Sequence, residues 1–150
     1  MPSNAFKIAV FLSAYAVAMA MVEAAAVVYL RELYYPSGFS VASAADLAVV
    51  PAHILRVEFW REAATIVMLA AVALLAFSSR KARFLAFLWA FSVWDLGYYL
   101  FLYLFLGWPP SLDTLDAYFL IPWPWIGPVW FPLALFSVLG GASLYYLLKE

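Results

Sequence analysis

A chain of 150 residues that is 69% hydrophobic, 20% aromatic and only 11% charged is far from a soluble domain, which keeps about a quarter of its residues charged. Its formal net charge of -1 offers no basic footprint for nucleic acid. With no cysteine, disulfides, thiolate catalysis, iron–sulfur clusters and cysteine-ligated zinc are excluded, and a single histidine, His53, excludes haem held by two histidines of this chain.

The first apolar stretch runs from about Ala5 to Tyr34 and stops before Pro36-Ser37-Gly38. Lys7 near its start, followed by an apolar run, and Ala18-Met19-Ala20 have the look of a signal peptide and its cleavage site. The apolar pattern continues to about Leu30, too long for such a leader, so it reads as a true span. Residues 41–50 are too short to cross a membrane and predict a short interfacial helix, with Ser40 or Ser43 available as N-cap. A second span, 51–77, begins at Pro51, well suited to a first helical position. A third, 82–106, ends at Gly107 and Pro109-Pro110, and a fourth covers 128–148. Each reaches the roughly 20 residues that cross about 30 Å of hydrocarbon. Between the last two, Gly107-Trp108-Pro109-Pro110 and Pro122-Trp123-Pro124-Trp125 block regular helix and favour the headgroup layer.

Lys7, the cluster Arg80-Lys81-Arg83, and Lys149 fall at one face of an alternating bundle. The positive-inside rule makes that face cytoplasmic. Asp46, Asp113 and Asp116 then lie in outer loops; Arg31 and Arg56 also lie outward, each beside acids that could pair with it. The expected fold is thus an all-α integral membrane protein, a single four-transmembrane-helix bundle. Both termini are cytoplasmic and the Trp/Pro-rich segment forms an extracytoplasmic cap.

Acids inside spans carry the functional signal, because a carboxylate in hydrocarbon costs at least about 2.5 kcal/mol. Glu23 stands eleven residues before Tyr34, Glu62 eleven after Pro51, and Asp95 twelve before Gly107. At 1.5 Å per residue all three sit about 16–18 Å from the outer helix ends. Glu58, Arg61 and Glu62 occupy neighbouring positions on the second helix. Ala16 and Ala20 share a face with Glu23 and Val27, letting a neighbouring helix approach closely. Tyr98 and Tyr99, one turn beyond Asp95, could donate hydrogen bonds to it. In the fourth helix Gly140-Gly141, Ser137 and Ser143 suggest close packing. Counting Glu23, Glu58, Glu62 and Asp95 against Arg61 leaves an excess of three negative charges, which cannot all stay ionised at close range in low dielectric.

Such a group suits a hard or borderline metal cation, iron, manganese or copper, with Glu23, Glu58, Glu62 and Asp95 as ligands. Arg61, Tyr98, Tyr99 and the outlying His53 would stand around it. The expectation is a metal-binding membrane protein that supports redox chemistry on a membrane-soluble substrate. Three alternatives stand beside it. One is a non-catalytic subunit of a larger membrane complex, whose buried charges form a structural ion-pair network. The others are a proton or cation relay and a lipid- or quinone-binding pocket. Besides the bilayer, the partners expected are other membrane subunits or further copies of the chain. No phosphate-binding glycine loop, nucleophile elbow or His-Glu-x-x-His helix is present.

Overall fold

Long apolar runs whose backbone polar groups have no water to bond must satisfy them internally, which favours helix. In the computed structural model, which describes residues 4–150, four helices answer that demand: α1 (Asn4–Tyr34), α2 (Ala52–Ala76), α3 (Arg80–Leu106) and α4 (Trp130–Leu147). All four are long and apolar enough to cross a membrane, the shortest having 18 residues, about 27 Å of helix. The surface they present is apolar, with Leu75 87% and Phe11 77% exposed, as lipid rather than water requires. This is a multi-pass helical bundle suited to a bilayer.

Helix α3 is the most buried and packs against the other three. Small residues let the backbones approach. Ala16, Ala20, Ala24, Ala86 and Ala90 are fully buried, and the space beside Gly97 is filled by the Ala20 methyl. Three core layers follow one another along the bundle. Leu12, Ala73 and Leu147 mark the layer at the α2–α3 turn, and Ala20, Leu69 and Trp94 the middle. Ala24, Leu102 and Trp108 mark the opposite end.

Local chemistry sets the ends. Ser79 accepts the Ala82 N–H at 3.0 Å and caps α3. Gly107, at φ 63°, takes the left-handed conformation that closes the same helix. Pro51 stands one position ahead of α2, its carbonyl accepting from Ile54 and Leu55. The expected helix between α1 and α2 is a 3-10 helix, Ala44–Val49, with Ser43 as its cap residue. The Asp46 carboxylate accepts the backbone N–H groups of Ala42 and Ser43, each at 2.8 Å, which holds it below the ordinary carboxylate range.

The Trp/Pro-rich segment is more ordered than its composition indicates. It forms an antiparallel hairpin, β1 (Leu115–Phe119) with β2 (Trp125–Pro128), irregular between Ala117 and Phe119. The Val129 N–H donates to Thr114 O and the Trp130 N–H to Leu112 O, carrying the pairing into the first turn of α4. Phenylalanine and tryptophan from this segment reach back into the bundle, where Phe119 packs on Phe91 and Trp94 and Trp108 stacks on Tyr99.

Candidate functional site

Two clusters of charge form at the hairpin end of the bundle. In the deeper one, Arg61 of α2 lies between two carboxylates. Its Nη1 meets Glu23 of α1, while its Nε and Nη2 donate to Glu58 at 3.0 and 2.5 Å. The Thr65 hydroxyl, one turn along α2, donates to Glu23 as well. The guanidinium fork suits two carboxylates at once, and the spacing of Glu58 and Arg61 brings them together on one helix face.

In the second cluster Arg31, from the last turn of α1, reaches Asp116 of β1 at 3.4 Å, with both side chains buried. The Tyr99 hydroxyl of α3 donates to the other Asp116 oxygen at 2.9 Å. Phe39 and Trp108 sandwich the guanidinium, its carbon 4.0 and 3.9 Å from their ring centres, a cation–π arrangement that replaces part of its lost hydration. Burial pushes the Asp116 carboxyl above the ordinary range, against the opposing pull of Arg31 and Tyr99.

Between these clusters lies a cavity of about 120 Å³. Glu23, Glu58, Glu62, Asp95 and Asp116 line it together with Arg31 and Arg61, so five carboxyl groups face two guanidiniums, a formal excess of three. Trp94, Tyr98, Tyr99, Tyr118 and Phe119 supply aromatic walls. Glu62 accepts the Leu120 N–H at 2.8 Å, tying α2 to the end of β1. Asp95 is only 7% exposed, and its Oδ2 has no hydrogen-bond partner. Two donors from other residues of the lining, Trp94 Nε1 and Arg31 Nη1, are likewise buried and unpartnered. Buried polar atoms normally find partners, so three such residues in the lining of one cavity make it the candidate site.

The four acids expected from the sequence, with Arg61, Tyr98 and Tyr99, all border this cavity. Among the described residues, no three side chains of His, Asp or Glu group closely enough to hold a metal ion. Arg61 takes up Glu23 and Glu58 instead. Tyr99 bonds to Asp116 where Asp95 was the expected acceptor. His53 is exposed at the start of α2, away from the cavity lining. Sequence reasoning missed Asp116, Arg31, Thr65 and Trp94 as members. A signal for two of them was available: Arg31 broke the charge asymmetry of the loops, and Asp116 stands inside the otherwise apolar run Leu115-Asp116-Ala117-Tyr118-Phe119, a poor fit for an open turn.

Comparisons of the chain with protein-family models, with characterised proteins and with solved structures find no match.

Proposed function

We propose that this chain is a multi-pass membrane protein that binds a cation in the acidic cavity, with both termini cytoplasmic and the hairpin covering the cavity from outside. The observation that carries the reading is Asp95, buried in the cavity wall with a carboxylate oxygen lacking any partner. An unpaired buried carboxylate is expensive unless it is protonated or meets a positive charge. The excess of three negative charges around the same space and its aromatic walls favour the positive charge. Arg61 consumes Glu23 and Glu58, leaving Asp95 and Glu62 as the groups that face a ligand.

The test is thermal unfolding in lipid nanodiscs against primary ammonium ions and against sodium, calcium and manganese. A bound cation at a hundredfold excess over its Kd stabilises by about 2.7 kcal/mol, roughly 5–10 °C in Tm for a chain of this size. Asp95→Asn should abolish that shift while raising the Tm of the ligand-free protein, because a neutral amide is cheaper to bury. Absence of a shift with every cation, or an equal shift in Asp95→Asn, removes the proposal. Near-stoichiometric iron, manganese or copper in the purified protein, lost in Glu62→Ala, would make the cation a resident metal.

A second reading is favoured by the Arg61 knot itself. Helices α1 and α2 touch little compared with their contacts to α3, and Glu23–Arg61 joins them. A subunit held in register for a larger assembly would use the knot in this way and leave the cavity without a ligand.

A further inference from the structure

The acidic cavity has an apolar neighbour. A cleft of about 250 Å³ opens between the 3-10 helix Ala44–Val49, the start of α2 and the segment after β1. Its lining and that of the cavity share Leu47, Leu55 and Leu120. Three leucine side chains therefore form the boundary between a polar chamber and an apolar one. Beyond them the cleft is walled by Ala44, Phe59 and Pro124, with Arg56 also lining it. Arg56 is exposed, as is Ala44, so the far end of the cleft reaches the protein surface at the headgroup end of the bundle.

The chemistry is graded along this line. Asp95, with its unpartnered Oδ2, and Glu62, bonded to the Leu120 N–H, stand at the inner end, aliphatic groups in the middle, and the Arg56 guanidinium at the lip. A positive group is attracted inward and repelled at the lip, while a hydrocarbon chain finds matching walls only in the cleft. We propose that the ligand is an amphiphilic amine drawn from the bilayer. Its ammonium group sits against Asp95, and its alkyl chain passes the Leu47–Leu55–Leu120 boundary into the cleft beside Phe59. This rests on the cation reading and adds the tail, the route and the source.

The two parts separate experimentally. In nanodiscs, butylammonium carries the head alone, tetradecylammonium the head and tail, and tetradecanol a tail with a neutral head. Tryptophan at Pro124 or at Ala44 fills the cleft from two different segments, so misfolding of one variant leaves the other informative. Both ammonium ions should raise the Tm of the parent protein saturably, and neither should act on Asp95→Asn. Pro124→Trp and Ala44→Trp, which line the cleft and not the acidic cavity, should weaken tetradecylammonium by at least about tenfold and leave butylammonium unchanged. Unaltered tetradecylammonium affinity in both variants would overturn the tail assignment while the head group stands. Tetradecanol acting as well as the amine, or no response to either ammonium ion, would overturn the cation reading and this inference together.

Discussion

Arg61 holds Glu23 and Glu58 with a single guanidinium while its own side chain remains 24% exposed. Removing the positive member of such a group leaves two carboxylates without compensation, a loss of about 3 kcal/mol at the lower end of the range for buried pairs. Arg61→Gln should therefore lower the Tm strongly in any detergent. Adding Glu23→Gln to it should restore part of the loss, since the second change removes one of the stranded charges. Equal or additive losses in the double variant would show that Arg61 acts through packing alone. The partnership of Glu58 with Arg61 was legible in the sequence, because three residues of helix bring the two together. That of Glu23 was legible only as a depth, since which way α1 turns depends on packing that a single chain of letters does not display. Tyr99 illustrates the limit. Its neighbour in sequence, Asp95, was the expected acceptor, yet a hairpin seventeen residues away supplies Asp116.

The elements differ in how much they owe to local chemistry. Length and hydropathy alone mark a span, so all four helices agree with expectation to within two residues at each end. The hairpin was hidden because its strands are five and four residues long, without clear alternation, in a stretch where proline and tryptophan dominate. Helix α4 gives a sharp contrast between two adjacent glycines. A methyl at Gly140 would stand 2.8 Å from the Ser92 Cβ on α3, whereas one at Gly141 would meet nothing within 4 Å. Gly140→Ala should cost about 1–3 kcal/mol through forced separation of α3 and α4. Gly141→Ala should be neutral or stabilising by up to about 1 kcal/mol, the helix-propensity difference between the two residues. Thermal unfolding of the two variants side by side measures both; the same loss in each would mean that α4 sits in a different rotation.

At the scale of the whole molecule, the charge asymmetry of the loops makes a simple prediction. The chain has no cysteine, so a single one can be introduced into the unaltered background. Asp113 and Ser78 are both exposed and lie at opposite ends of the bundle. Asp113→Cys should react with an impermeant maleimide in intact cells, and Ser78→Cys only after permeabilisation. The reverse pattern would invert the proposed orientation.

The wall contributed by residues 115–120 has a consequence for biogenesis. Synthesis delivers α1 and α2 first, and with them both halves of the Glu23–Arg61 pair, so that charge can be neutralised as soon as two spans are in the membrane. Asp95 arrives with α3, but Leu115–Phe119 emerges later still, and its pairing strand and anchor wait for Trp125–Pro128 and α4. Between those moments a three-helix nascent chain carries an unshielded carboxylate in the bilayer. The last span therefore acts as the step that closes the interior, and a ribosome stalled before it would leave an incompletely sheltered intermediate for the membrane quality-control machinery to find.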